Sequence, residues 1–548
     1  MKKLGILSLI FILLNFACGK QRITKSDIRH AQNIFGMEFT PSQISTMQEY
    51  LNSNLQGYDS MRLSPLGFEV IPAMTFDPLP MGFEFSESPS VFEFEFNEDI
   101  RMPEDKNELA FYSVADLSVL IKTKQISSVE LTEFFLERIR KFDPKLQAII
   151  TITKERAMVQ ARKMDEELAN GNYRGPLHGI PYGAKDLLAV KDYPTTWGSE
   201  AYKNQYFDEN ATVIEKLDKA GAVLVSKLVS GSLARGDVWF GGKTKNPWDL
   251  NQGASGSSAG SGSATAAGLV PFAIGTETLG SITSPSNRNG ITGLRPTYGR
   301  VSRYGAMTLS WSMDKIGPMA RSAEDCALIF EAMYGKDAKD MMTIPAPFSY
   351  DNTKQNENLK IGYFKEFFEE DSSSSRDNNL EILDEIRALG YELTEVELPK
   401  TIYPRAFDVI LRAEAGAFFD ELVLSGSSAS LVEQGESSRA NSLRQSRFIP
   451  AVEYLQANRH RRLLIEDFHQ TISGFDVLLT PTRNFKQLMV TNLTGHPALA
   501  IPTGLDSANH PTSLTLLGNL FDEEKLLELG TLIQSKTDFH KKTPHGFE

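Results

Sequence analysis

Residues 253–283 read GASGSSAGSGSATAAGLVPFAIGTETLGSIT, a run of small side chains that passes straight into an apolar stretch. Glycine admits backbone shapes barred to other residues and lets neighbouring groups come close. A flexible Gly/Ser linker has a similar composition, but SATAAGLVPFAI is not linker sequence. It reads as a small-residue helix leading into a buried strand. The fold must therefore pack main chain tightly around a hydroxyl-rich segment, which points to a site built largely from backbone.

The rest of the chain supplies a core large enough to hold such a site. SSVELTEFFLERIRKFD and KERAMVQARKMDEELANG have the helical period, and strand-like runs recur at AVLVSK (222–227), KIGYF (360–364), FDVLLTPT (475–482), PALAIPTG (497–504) and TSLTLLGNLF. Helical stretches separate most of these runs, so the pattern predicts an α/β protein with a largely buried sheet. With 548 residues, 41% of them hydrophobic, one very large domain or two to three ordinary ones can be formed. The formal charge of −13 argues against general nucleic-acid binding, which needs basic surface to neutralise phosphates.

The first residues, MKKLGILSLIFILLNFACGK, combine a basic start, an apolar run and a small residue before a break. This predicts a signal peptide over 1–17 and, because Ala17 precedes Cys18 as at a lipoprotein cleavage site, lipidation of Cys18. The expectation is an exported protein held at a bacterial cell envelope by that anchor. The other cysteine, Cys326, falls among apolar residues at helical spacing and reads as a packed small hydrophobe. Residues 18–105 form an N-terminal part: amphipathic helices over 19–60, with TPSQISTMQEYLNSNL opening on a capping residue, then a Pro- and Phe-rich stretch over 61–107. There FEFSESPSVFEFEF reads either as an arm laid over the body or as a solvated tether. The polar stretch 425–447 reads as a surface loop or a lid.

Three features carry chemistry. GTETLGSI follows the strand LVPFAI and sets Ser281 after a turn at Gly280, where successive N–H groups can converge as an anion nest. SGSSAG holds Ser257 and Ser258. HGIPYGAKDLLAV places Lys185 in an apolar setting, where burial favours the neutral amine, a base; pairing with Asp186 or reaching solvent is the plainer alternative.

The segments GPLHGIPYGAKDLLAV, GSSAGSGSATAAGLVPFAIGTETLGSI and GLRPTYGRVSRYGAM, with MDKIGPMARSAEDC after them, resemble the amidase signature family in order and spacing. The resemblance runs from about residue 106 to the C-terminus. It implies a single amidase-signature domain over 106–548, with a mixed central sheet covered by helices on both faces. It also implies a triad of Ser281 as nucleophile, Ser257 as bridging serine after a cis peptide bond, and Lys185 as base. The N–H groups of Thr278, Leu279, Gly280 and Ser281 would then hold the oxyanion. The activity implied is hydrolysis of a carboxamide through an acyl-serine, with no metal and no organic cofactor, on a small-molecule or peptide amide. The same carry-over makes Tyr182, Ser258 and His496 pocket-lining candidates, and Trp197, Trp239 and Phe240 are further aromatics of pocket or core. Two positions depart from the family pattern: Leu279 stands where most members have Gly, and Thr283 where they have Arg. Leu279 is expected to narrow the acyl pocket, and Arg288 to stand in for the missing arginine.

Other readings compete. Gly256–Gly260 also matches the G-x-S-x-G elbow, which would make Ser258 the nucleophile with His496 as partner, but an elbow needs a strand before it and NPWDLNQGA is turn-like. No Gly-Lys-Ser/Thr follows the glycines, as a phosphate-binding loop requires, and His540 and His545 read as a solvated tail rather than metal ligands. Within the family, a glutaminase-type subunit of a tRNA-dependent amidotransferase and a catalytically retired binding protein are the alternatives. Oligomeric state is not legible.

Overall fold

The computed structural model describes residues 22–548 apart from 65, 86–88, 355–357 and 401–403; the expected signal segment and Cys18 lie outside the described residues. The chain divides into two compact units, one ending at Val70 and one running from Ile71 to Glu548.

In the first unit, helices α1 (Lys25–Ile34) and α2 (Pro41–Arg62) each begin with a capping box. Thr24 accepts from the Asp27 N–H and Thr40 from the Gln43 N–H, each satisfying an orphan donor at a helix start. Pro41 at the first helical position adds a pre-set φ.

The second unit is organised around an 11-stranded sheet. Its strands are β1 (Ile149–Ile152), β2 (Pro181–Lys185), β3 (Val223–Leu228), β4 (Phe272–Glu277), β5 (Thr292–Arg295) and β6 (Lys315–Ala320). They continue as β7 (Ile361–Tyr363), β8 (Leu393–Glu395), β9 (Val477–Pro481), β10 (Ala498–Leu505) and β11 (Pro511–Gly518). The order across the sheet is β8-β7-β9-β11-β10-β5-β6-β4-β2-β3-β1. The sheet is mixed: β2 is parallel to both β3 and β4, while β6 is antiparallel to β4 and β5. It is the mixed α/β architecture expected.

Alternation along the strands divides the core in two. Tyr182, Ala184, Leu224, Phe272, Ile274, Ile316, Leu499 and Ile501 all turn to one cluster. Val223, Val225, Ala273 and Met319 turn to the other face, as do Leu478, Ala498 and Leu517 further along the sheet. Lys185 is one residue on from Ala184, so β2 presents it on the face opposite Tyr182. That second face carries helices α3 (Ser128–Leu146) and α4 (Ala259–Ala266), with every residue of α4 buried. Small residues are required there: a Cβ on Gly260 would stand 2.3 Å from the Ala148 carbonyl oxygen and 2.4 Å from the Val229 nitrogen. The remaining helices used below are α5 (Thr283–Asn289), α6 (Pro404–Phe418), α7 (Arg439–Ser446), α8 (Ala451–Ile472) and α9 (Phe485–Thr494).

From Ile71 on, the Phe-rich stretch lies on the body of the second unit as an arm. Phe76 meets Tyr298 edge-on at 5.0 Å, and the short strand Phe92–Glu93 pairs in parallel with Tyr350–Asp351. The 425–447 stretch is more ordered than its polar composition suggests. Ser438 caps α7, and Leu431, Ala440 and Leu443 bury themselves with Trp197 and Leu233. Three apolar positions were enough to dock it, too few to show as a pattern.

The placement of Tyr182 corrects its reading as a pocket residue. Its ring stacks on Phe272 at 5.2 Å in the core on the far face of β2, and its hydroxyl is buried with no hydrogen-bond partner among the described residues. An unsatisfied buried hydroxyl costs about 1–3 kcal/mol. Tyr182→Phe is therefore expected to melt no lower than the wild type and to keep its turnover; a clear drop in Tm would show a hidden partner.

Candidate active site

β2 ends on Lys185, and the amine of this wholly buried lysine is held by hydroxyls rather than by a carboxylate. Lys185 Nζ lies 2.8 Å from Ser257 Oγ, 3.0 Å from Ser258 Oγ and 2.8 Å from Thr276 Oγ1, with the Thr276 carbonyl at 3.3 Å. Burial drives its pKa well below that of an ordinary lysine, against the opposing fields of Asp314 and Glu277. Neighbouring Asp186 is not its partner: that carboxylate pairs with buried Lys227 at 2.6 Å and accepts from the Thr196 N–H. The result is an amine poised to accept a proton from a serine.

The Gly256–Ser257 peptide is cis. Main chain crowds this point, since a Cβ on Gly256 would stand 1.8 Å from the Gly236 carbonyl oxygen, and the Gly231 N–H donates to the Ser257 carbonyl at 3.1 Å. Around the site, Trp197, Leu233, Ala234 and Ser255 all have positive φ. Such left-handed non-glycine residues cost about 1–3 kcal/mol each and gather at functional sites.

Ser281 is half-buried at the start of α5, and its carbonyl accepts from the Ser258 N–H at 3.3 Å. Among the described residues no hydrogen bond joins the Ser257 and Ser281 hydroxyls, and the N–H groups of Thr278, Leu279, Gly280 and Ser281 have no acceptor. Four successive free donors at a turn with Gly280 at φ +87° form a cradle for negative charge.

Glu277 holds that turn from beneath, a role its place in GTETLGSI did not suggest. One carboxylate oxygen accepts from the N–H groups of Ile282 and Thr283 at 2.8 and 3.0 Å and from the Thr283 hydroxyl; the other accepts from Arg295 at 2.8 Å and Asn492 at 3.0 Å. Burial opposes the charge, but Arg295 and these donors win and hold the carboxyl at about 2. Arg295, with Thr283 folded inward, thus meets the carboxylate, whereas Arg288 reaches Gln252 instead and does not stand in for the family arginine. Thr278 is fixed in turn by its hydroxyl on Asp314 at 2.5 Å. Leu279 keeps its N–H free while its half-buried side chain packs against the cluster of Met313, Phe407 and Ile410.

The other candidates are placed differently from expectation. Ser258 is buried and serves the lysine, its hydroxyl donating to the Thr276 carbonyl at 3.1 Å, so it does not line a pocket. His496 is buried edge-on against Phe468, bonded through Nδ1 to Thr494 at 2.8 Å, and burial drives it down to about 3. It neither lines a pocket nor meets Ser258, which removes the elbow arrangement. Trp197 packs in the aromatic group of Tyr202, Phe207 and Phe418. Cys326 is buried, its thiol pushed up by desolvation. Among the described residues no three His, Cys, Asp or Glu side chains gather in a metal-ligating group. A cavity of about 680 Å³ among the arm, α6 and α8, lined by Phe76, Trp311, Glu414 and Tyr454, includes none of Lys185, Ser257 and Ser281.

The amidase family model matches residues 130–527. This chain belongs to the amidase family. Its relatives include the glutamyl-tRNA(Gln) amidotransferase subunits A of Coxiella burnetii, 37% identical over 79% of this chain and 99% of the relative, and of Methylobacillus flagellatus, 34% identical with the same coverage. Among solved structures, the peptide amidase of Stenotrophomonas maltophilia superposes with a TM-score of 0.71 at 28% identity, over 80% of this chain and 99% of that one. An amidase family protein of Bacillus anthracis gives 0.72 at 26% identity, over 80% and 93%. The protein is therefore an enzyme acting on amide carbon–nitrogen bonds. The expected export and anchoring at Cys18 are overturned by the same finding. The relatives are subunits of a tRNA amidotransferase.

Removing the support beneath the turn gives a stability test of this amidase. Glu277→Ala would leave the Arg295 guanidinium buried without its carboxylate, which costs about 3–5 kcal/mol. Because the native pKa lies below the usual 4.5, the wild-type contribution is fully present above that pH and is lost as pH falls toward 2. Urea unfolding at pH 7 should show the loss, and acid titration should shrink the gap between variant and wild type.

Proposed function

We propose that this amidase hydrolyses its substrate through an acyl-enzyme on Ser281, with Lys185 as base and Ser257 as the relay between them. The observation that carries the reading is the buried, carboxylate-free Lys185 amine hydrogen-bonded to Ser257. A neutral amine there takes the Ser257 proton as Ser257 takes that of Ser281, and the Ser281 oxygen attacks the amide carbon. The tetrahedral oxyanion is received by the free N–H groups of residues 278–281. One such donor lowers the barrier by about 3 kcal/mol, and fixed donors need no rearrangement at the moment of reaction. The relayed proton leaves with ammonia or amine, and water completes hydrolysis by the reverse path. In this reading residues 106–548 make up the catalytic domain and 18–105 an N-terminal segment.

The substrate is proposed to be a small-molecule or peptide amide, in keeping with the similarity to a peptide amidase. A glutaminase-type subunit of a tRNA-dependent amidotransferase is the second reading, favoured by the 37% identity to such subunits.

Ammonia or amine release by the purified chain alone, on small, aryl, fatty and peptide amides and on glutamine, tests both. Ser281→Ala and Lys185→Ala should each lower kcat by a factor on the order of 10⁴ or more. The rise of kcat/KM with pH should be complete well below 10.5, the ordinary lysine value, because desolvation lowers the amine. Turnover of glutamine alone would favour the second reading, and wild-type-like turnover by Ser281→Ala would sink the mechanism.

A further inference from the structure

Two arginines meet at the 231–236 turn that abuts Gly256 and Ser257, and among the described residues neither is paired with a carboxylate. Arg439 is 6% exposed, and its guanidinium grips main-chain carbonyls: Nε donates to Leu233 at 3.0 Å and Nη2 to Ala234 at 3.1 Å. Nη1 has no acceptor among the described residues. Arg235 follows directly in the same turn, whose N–H at Gly231 bonds the Ser257 carbonyl and whose Gly236 carbonyl abuts Gly256. The half-buried Arg235 side chain makes no hydrogen bond or ion pair among the described residues, and it lies close enough to repel the charge of Arg439.

The electrostatics of this pair are unfavourable in three independent ways. Arg439 is a desolvated cation with no ion-pair partner among the described residues. It has a like charge as neighbour. It is also the first residue of α7, where the helix dipole is positive. The two carboxylates whose fields reach it, Asp314 and Asp408, are already engaged, by Thr278, Leu309 and Ser310 in the one case and by Arg412 at 2.8 Å in the other. Packing alone does not call for two arginines here, since one neutral donor pair would serve the Leu233 and Ala234 carbonyls. Both left-handed residues, Leu233 at φ +49° and Ala234 at φ +58°, sit in this turn and aim their carbonyls at Arg439. An incoming anion would offset all three penalties at once, and arginine's planar fork suits a compact oxyanion.

We propose that Arg235 and Arg439 form a binding site for an oxyanionic group of the substrate, so that the amide hydrolysed carries a carboxylate or phosphate a few bonds from its scissile carbonyl. The proposal rests on the Ser281–Ser257–Lys185 reading only for where the amide sits; the anion site itself is read from the arginines.

The experiment has a kinetic and a binding arm, both on the full chain at constant ionic strength. In the first, succinamate is compared with butyramide, which has the same chain length and no charge. The wild type should prefer succinamate at least tenfold in kcat/KM, mainly through KM. Arg235→Met, at a half-exposed position that should fold, should collapse that ratio toward one, and Arg235→Lys should restore part of it. In the second arm, succinate and inorganic phosphate are titrated onto Ser281→Ala and followed by thermal shift and calorimetry. Millimolar or tighter binding that weakens at least tenfold on adding Arg235→Met or Arg439→Met supports the site, and the tighter of the two anions names the group. No binding of either anion, or binding and preference unchanged by both arginine substitutions, overturns it. If Ser281→Ala keeps full turnover, the nucleophile assignment falls while the anion preference is still read from the wild type.

Discussion

An amine taken wholly out of water must find an anion or give up its proton, and burial pushes Lys185 toward the second course. Its neighbours are hydroxyls and a carbonyl; the nearest carboxylate in sequence, Asp186, is committed to Lys227. Everything around the site follows from keeping that amine dry and its donors in reach. The small residues of α4 let main chain close over the end of β2, and the turn at Gly231–Gly236 seals the Gly256–Ser257 peptide from the other side.

A second constraint, the anchoring of the 278–281 turn, is electrostatic rather than steric. Free N–H groups are useful for catalysis only if the loop that carries them does not collapse onto some other acceptor. Glu277 prevents this by taking the next two N–H groups for itself and tying the turn to Arg295 on β5 and Asn492 on α9. Strand end, helix start and two neighbouring elements thus converge on one carboxylate.

The sheet, its burial and the hydroxyl-rich centre were legible in the sequence because they depend on local pattern: short apolar runs between helical stretches, small residues before a strand, a lysine among apolar neighbours. Tyr182 was misread because quoting a motif does not say which face of a strand each residue takes; one step of alternation separates it from Lys185. His496 was misread for a related reason, since a histidine near a glycine gives no sign of whether it is solvated or enclosed. Glu277 and Arg439 were missed because their partners lie 18 and about 205 residues away in sequence, as Arg295 and the Leu233–Ala234 turn, and no local signal couples them. The docking of 425–447 was hidden by serines that cap and fill turns while only a few apolar positions hold the helix down.

The alternation along β2 has a consequence for how such a chain can change. One apolar cluster gathers on the side of Tyr182 and Ala184, and the proposed proton chemistry lies on the side of Lys185, with one hydrogen-bonded plane between them. Drift in one register is felt as a shift in melting and drift in the other as a shift in turnover. A lineage can therefore re-tool what this protein acts on while inheriting, nearly untouched, the half of the sheet that keeps it folded.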